Sequence, residues 1–473
     1  MPRFPTSIFT LLSIAVWCGC SRAPETRPPN IVLIVADDLG WTDLGVYGSG
    51  YYETPNVDRL AREGMRFSNA YANPNCSPTR AALLTGRYSP RTGIYTVGSG
   101  ARGHEQFRKM IPAENVTDLA LDEITFAELA KEVGYTTAHM GKWHMGKGEY
   151  LPVRQGFDLN AGGNDSGSPR GGYFAPYKNP QLPDGPEGEH LTGRLAEEAV
   201  AFITKNKDAP FLLYLPFYAV HTPIQGRPDL IEKYEAKQPV GEHRHPTYAA
   251  MVDAMDQAVG RVLATLDELG IADETAVLFY SDNGGLGGYA AAGVDANIEV
   301  TSNAPLRGGK GMLYEGGIRV PLIVRWPGVV TAGSVSDALV GSIDLRPTLA
   351  EMIGADKIGT GLPEREIDGA SFLPVLQGQS GAARGPLYWH FPGYLEGRRN
   401  IGAWRTTPGG AIRDGRYKLI EFFETGSIEL YDLEADIGEQ NDLAEAEPET
   451  AERLHGQLQD WRERLKAPMP IPK

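Results

Sequence analysis

The stretch NIVLIVADDLGW, Asn30 to Trp41, decides the fold. Ile31 to Val35 is an unbroken apolar run rich in β-branched residues, as a strand reads when helices cover both faces of a parallel sheet. The run stops abruptly at Asp37 and Asp38. The pattern recurs in TAVLFYSDNGG, Thr275 to Gly285, where a second apolar strand runs into Asp282 and Asn283. Between the two lie helical stretches. ITFAELAKEVGY, Ile124 to Tyr135, carries Phe126, Leu129 and Val133 at helical spacing, and YAAMVDAMDQAVGRVLATLDELG, Tyr248 to Gly270, repeats Met251, Met255, Val259, Val262 and Leu266 on one face. These stripes are core packing. Strands alternating with helices predict an α/β fold with a large, mostly parallel central sheet flanked by helices.

In an open α/β sheet, ligands bind beyond the carboxyl ends of the strands. Asp37, Asp38, Asp282 and Asn283 all sit at such ends and offer oxygen donors, a set suited to a hard divalent cation such as Ca2+ or Mg2+. Asp and Asn are equally common turn and cap residues, and either pair alone reads as a turn. Taken together, with Gly284 and Gly285 free to let the backbone approach a ligand closely, they favour a metal.

The 473 residues suffice for one large domain and a smaller one, each with its own core. A net charge of −15 argues against a nucleic-acid partner, which would need a basic face. It leaves a small anionic ligand open, because a few local Lys and Arg can dominate a pocket. The chain starts like an export signal: Arg3, then the apolar run IFTLLSIAVW, Ile8 to Trp17, too short to span a bilayer. CGCS follows, so Cys20 is a candidate lipidation site and a lipid anchor is an option beside plain cleavage. Either outcome predicts an exported protein: periplasmic, an outer-membrane lipoprotein, or secreted. Residues 1–28 are read as leader and short linker, 29–378 as the catalytic domain and 379–473 as a C-terminal α+β subdomain.

Of three cysteines, Cys18 and Cys20 fall in the leader, which leaves Cys76 alone in NPNCSPTRAALLTGRY, Asn73 to Tyr88. Pro78 suits a first helical turn, TRAALL propagates a helix and Gly86 stops it. Cys76 therefore sits at a helix N-terminus, where an anion is favoured, with Arg80 one turn on. Three readings stand side by side: part of an anion site, a small buried hydrophobe, or a thiol activated by the helix end.

CSPTR followed by AALLTGRY resembles the signature of the type I sulfatases, members of the alkaline phosphatase superfamily: Cys-X-Pro-X-Arg and then Thr-Gly-Arg. ADD, GKWHMG (Gly141 to Gly146), VHTP (Val220 to Pro223), SDNGG, GGKGMLYEGGIRVP (Gly308 to Pro321), DGASFLPVLQG (Asp368 to Gly378) and ELYDLEADIGEQNDLA (Glu429 to Ala444) follow the family's order. The likeness covers essentially the whole chain after the leader and is nearest to bacterial arylsulfatase A-like enzymes acting on sugars. It implies an alkaline phosphatase/sulfatase-like fold and oxidation of Cys76 to formylglycine by a maturase that reads Cys76-Ser77-Pro78-Thr79-Arg80. The hydrated aldehyde has two hydroxyls on one carbon; one attacks sulfur and displaces the sugar alcohol, and the other then collapses to the aldehyde and expels sulfate.

The resemblance further implies that Asp37, Asp38, Asp282 and Asn283 hold one divalent cation, Ca2+ before Mg2+, with the oxygen at position 76. Arg80 and Lys142 would fix the formylglycine and balance the carboxylates. His144 would bond its hydroxyl. His221 and Lys310 would grip the sulfate, His221 as proton donor to the leaving oxygen. No motif supports a role for His104, His139 or His455, and Arg87 and Glu315 read equally well as structural ion pairs.

After Gly378 the texture changes to short strands, with a hairpin in GRYKLIEFF and SIELYDL and a last helix bearing Leu454, Leu458, Trp461 and Leu465. The loop EGRRNIGAWRTTPGG supplies Arg398, Arg399, Trp404 and Arg405, and AGGNDSGSPRGGYFAPY supplies Arg170; both are candidates for binding a sulfated sugar. In HLTGR, Gly193 stands where the family often has an acidic residue. The leading expectation is a sulfatase removing O-sulfate from a saccharide, narrowed to 4- or 6-O-sulfated galactose or N-acetylgalactosamine units. The alternatives are a phosphomonoester, phosphodiester or phosphonate monoester hydrolase of the same superfamily, and a catalytically silent carbohydrate-binding lipoprotein.

Overall fold

The computed structural model describes Met1, Pro2 and residues 28–296, 298–356, 362, 365–379, 384–398 and 401–473. The expectations for the leader, including Cys20, and for Arg399 lie outside these described residues. The main sheet has strands β1 (Asn30–Ala36), β2 (Met65–Phe67), β3 (Thr136–Met140), β4 (Leu159–Ala161), β5 (Phe211–Pro216), β6 (Thr275–Ser281), β7 (Leu322–Arg325) and β8 (Ser334–Ser336). They lie in the order β8-β2-β7-β6-β1-β5-β3-β4. All pairings are parallel except those of β7, which runs against both β2 and β6.

β1 is buried along its whole length because it feeds two cores at once. Val32, Ile34 and Ala36 point into one, shared with the helices Leu191–Asn206 and Pro246–Glu268. Ile31, Leu33 and Val35 point into the other, shared with the helices Cys76–Thr85, Phe126–Glu132 and Leu345–Met352. The period of two in a strand turns one continuous apolar run into two buried faces, each full burial of a Val, Leu or Ile contributing about 1.5–3 kcal/mol. Helix Phe126–Glu132 starts at Thr125 through a reciprocal capping box with Glu128.

A second sheet holds β9 (Leu387–Phe391), β10 (Gly409–Asp414), β11 (Tyr417–Phe422) and β12 (Ser427–Asp432), antiparallel throughout and in chain order. The expected hairpin is β11-β12, and helix Pro448–Leu465 covers the sheet with Leu454, Leu458, Trp461 and Leu465. Trp461 stacks on Tyr388 at 4.8 Å. The same core takes in Tyr71, Ala82 and Tyr88, so this sheet packs directly on the segment around the Cys76 helix. Among the described residues, no helix is long and apolar enough to cross a membrane.

Candidate active site

The order β6-β1-β5-β3 places four parallel strands side by side, with their carboxyl ends along one edge. Asp282 and Asn283 follow β6, Asp37 and Asp38 follow β1, His221 follows β5, and Lys142 and His144 follow β3. Backbone bonds hold the loops in register past the strands: Asp37 N–H to Ala219 O at 2.9 Å, Asp282 N–H to Ala36 O at 3.1 Å and Lys142 N–H to Pro216 O at 2.7 Å. Residues far apart in sequence thus converge because their strands are neighbours. Asp38 and His144 take left-handed backbone conformations (φ +63° and +62°), each costing on the order of 1–3 kcal/mol that the packed surroundings hold in place.

The Cys76 helix begins at Cys76 after an extended Asn75 and ends at the left-handed Gly86, as its sequence predicts. Cys76 is buried, its Sγ 3.5 Å from Asp37 Oδ1, 4.0 Å from Asp38 Oδ1 and 3.4 Å from Lys310 Nζ. Burial, reinforced by Asp282, pushes the thiol up to about 12. Burial first, and then the carboxylates, oppose the thiolate that the helix end would favour. Arg80 donates to Asp282 Oδ2 from Nε at 3.0 Å and from a terminal nitrogen at 2.7 Å, and to Lys142 O at 2.8 Å. Lys142 Nζ lies 2.6 Å from Asp37 Oδ2, and Lys310 Nζ 2.5 Å from Asp38 Oδ1. Three buried carboxylates thus face three buried cations.

The donor set fits a hard cation. Asp38 Oδ2 and Asn283 Oδ1 are buried acceptors without a hydrogen-bond partner, and such groups are costly unless something positive meets them. Asp37, Asp38, Cys76 and His221 each bring one potential ligand atom within 4.8 Å of the others. Burial, with Asp282 next in effect, pushes Asp37 up to about 8.

Two details differ from the sequence reading. Gly284 and Gly285 bring the backbone close to neighbouring segments of the chain. A Cβ at Gly284 would lie 1.8 Å from Gly316 O and one at Gly285 2.7 Å from Thr301 Cγ2, so the glycines let the SDNGG loop lie against those two segments, and Lys310 N–H bonds Gly285 O at 3.0 Å. His221 Nδ1 faces the carbonyl of Thr222 at 2.7 Å and so carries the proton, while Nε2 lies 3.7 Å from Asp38 Oδ2. Burial and Lys310 hold the imidazolium down to about 3, so the resting ring is neutral and its protonation depends on bound negative charge.

The sulfatase family model matches residues 29–355, and one for the C-terminal part of N-sulphoglucosamine sulphohydrolase matches residues 309–464. A protein of Formosa agariphila named sulfatase is 37% identical across 98% of this chain and 93% of its own length. The chain belongs to the sulfatase family. It is a sulfate ester hydrolase. Human N-acetylgalactosamine-6-sulfatase is 38% identical over 76% of this sulfatase and 67% of its own chain. The solved structure of Ps i-CgsB in complex with k-i-k-neocarrahexaose superposes with a TM-score of 0.73 at 30% identity, covering 92% of this chain and 93% of that one.

The charge centre of the sulfatase forms the floor of a cleft of about 700 Å3, lined by Asp38, His144, His221 and Lys310 and, further out, by Arg102, Glu396 and Arg405. Of the residues considered for substrate binding, Arg405 lines this cleft. Trp404 packs on Tyr394 at 4.8 Å and lines a neighbouring pocket; Arg398 pairs with Asp295 at 2.9 Å and Arg170 with Asp165 at 2.5 Å, none of the three among the cleft-lining residues. From the Arg170 loop, Gly167 and Ser168 reach the cleft instead. Sequence reasoning missed Arg102 and did not single out Glu396 within the candidate loop that it opens, because their ion pair at 3.0 Å joins segments far apart in the chain. Arg87 pairs with Glu123 at 2.6 Å and Glu315 with Arg319 and Lys418, so both are structural. His139 is buried among aromatic rings against Asn160.

Proposed function

We propose that this sulfatase is exported and removes an O-sulfate from a saccharide, with residue 76 as nucleophile after oxidation of Cys76 to formylglycine by a maturase reading Cys76 to Arg80. The observation that carries the reading is the pair of unpartnered acceptors, Asp38 Oδ2 and Asn283 Oδ1, on side chains that bond each other, with Cys76 Sγ 4.0 Å from Asp38 Oδ1 and Asp38 lining the cleft. Asp37, Asp38, Asp282 and Asn283 would hold one divalent cation, Ca2+ in preference to Mg2+, which when bound polarises the sulfate. The hydrated aldehyde would supply one hydroxyl to attack sulfur and a second to release sulfate.

The remaining work falls to fixed side chains. Arg80 and Lys142 neutralise Asp282 and Asp37, so the centre keeps surplus positive charge for an anionic ester once the cation binds. Ser77 holds the carbonyl of His144 at 2.9 Å, setting that ring beside residue 76, and the partnerless His144 Nδ1 is free for the position-76 hydroxyl. Lys310 meets the sulfate. His221 faces the leaving oxygen through Nε2, its basicity raised by the negative charge of the bound ester. The saccharide, with a 4- or 6-O-sulfated galactose-type unit as first candidate, is supported by the names of the N-acetylgalactosamine-6-sulfatase relatives and by the saccharide bound to Ps i-CgsB.

The test is twofold. Mass analysis of the active protein should find an aldehyde at position 76. Initial rates on defined sulfated saccharides should exceed those on aryl phosphodiesters. A clear preference for the diester, or full activity with unmodified cysteine, overturns the proposal.

A further inference from the structure

The other lysine and arginine side chains lining the cleft have carboxylate partners: Lys310 has Asp38, and Arg102 has Glu396. Arg405 has none among the described residues. Its guanidinium lies over the Tyr289 ring at 4.6 Å, and its buried Nε has no hydrogen-bond partner. Stacking on a ring orients the plane of a guanidinium and leaves the donor edges of its fork unused. The seat is fixed relative to the chemistry. Tyr289 OH donates to Lys310 O at 3.0 Å, and a Cβ at the left-handed Gly311 (φ +92°) would strike Leu395 Cδ2 at 2.3 Å, so the hairpin of Leu395–Arg398 and Ala403–Thr406 rests directly on the Lys310 turn.

On the reading above, the scissile sulfate would be met by Lys310, by His221 and by the cation that the acceptors around Asp38 would hold. A neutral hydroxyl is poor compensation for a partly buried, uncompensated guanidinium, whereas an oxyanion matches its fork with paired hydrogen bonds. We propose that Arg405, with the adjacent Arg102–Glu396 pair, holds a second anionic group of the substrate, a carboxylate or a further sulfate, so that the enzyme prefers saccharides carrying two negative charges over those carrying one. This selectivity rests on the saccharide reading above. Glu396 acts as a counter-charge that keeps Arg102 from binding the second anion indiscriminately.

The test compares kcat/KM for N-acetylgalactosamine 6-sulfate, N-acetylgalactosamine 4,6-disulfate, a uronosyl-N-acetylgalactosamine 6-sulfate and 4-nitrophenyl sulfate. Wild type should favour one or both dianionic saccharides over the monosulfated sugar, and which one identifies the second group. Arg405→Gln should cut that preference about tenfold or more, chiefly through KM, with Arg405→Lys recovering part of it. Glu396→Gln should increase it. An equal loss on all four substrates would mean a merely structural arginine and overturn the proposal, as would an unchanged preference. If the wild type turns over 4-nitrophenyl sulfate and monosulfated sugar with no preference for a second charge, only this inference fails. If it desulfates no saccharide at all, the underlying reading falls first and takes this one with it.

Discussion

Among the described residues, two clusters of buried charge are built from nearly the same parts. One is the centre of Asp37, Asp38, Asp282, Arg80, Lys142 and Lys310. The other joins Glu315 and Glu439 to Lys418, Arg319 and Tyr71 where the second sheet meets the first part of the chain. In the second, every carboxylate oxygen is met: Lys418 bridges the two glutamates at 2.9 and 2.8 Å, Tyr71 and Arg319 donate to Glu315 Oε2, and Glu315 N–H donates to Glu439 Oε2 at 2.7 Å. In the first, Asp38 Oδ2 and Asn283 Oδ1 are left over, and a cleft opens onto Asp38. Buried charge by itself therefore does not mark a site. Unmet acceptors beside an opening do, because a closed network has no affinity to spare for a ligand.

The contrast can be broken in order of expected effect. Cys76→Ala should lower turnover on the order of 10^4-fold while leaving the melting temperature within a degree or two, measured by initial rates and circular dichroism. Lys418→Met should do the reverse. It strands two buried glutamates, so the urea midpoint should fall by an amount equivalent to about 3–5 kcal/mol while KM of the folded fraction stays put. Treatment with a chelator should abolish activity and lower apparent stability by about 2–4 kcal/mol relative to saturating ion, with Ca2+ and Mg2+ add-back identifying the ion. Lys418→Met should lose the same increment, since its cluster holds no ion; a chelator-insensitive enzyme would remove the proposed cation.

Smaller effects sharpen the contrast. A Cβ at Gly167 would lie 2.3 Å from the His144 ring, so Gly167→Ala should displace that ring and cut kcat about ten- to hundredfold with little change in melting. Last, burial and the nearby Glu315 push Glu439 up from the ordinary 4.5 to about 7, against the pull of Lys418. Between those values the folded protein holds a proton that the unfolded chain has released. This residue's contribution to stability is thus present below pH 4.5 and is lost as pH rises through about 7. In Glu439→Gln the melting temperature should decline less between pH 5 and 8 than in the wild type, as thermal scans would show; an identical slope refutes the assignment.

The sequence by itself determined a good deal. The run Ile31 to Val35 announces a strand buried on both faces, and burial of every residue of β1 follows from that composition. The carboxylates at the ends of β1 and β6, the helix starting at Cys76 and the β11-β12 hairpin are equally local, since each depends on residues within one turn or strand. What only the tertiary structure decided is which of the many charged residues meet. Asp37 and Lys142 stand 105 positions apart, and Arg80 and Asp282 stand 202, yet strand order makes them partners. Arg398, Arg170 and Arg405 are alike as letters. The first two find carboxylates nearby while the third finds a tyrosine ring, and nothing in the local sequence encodes that difference. The segments that Gly284 and Gly285 pass closely, at Gly316 and Thr301, are likewise set only by the tertiary structure. Short-range periodicity writes secondary structure into the chain, whereas the pairing of charges depends on distances that close only when the sheet is assembled.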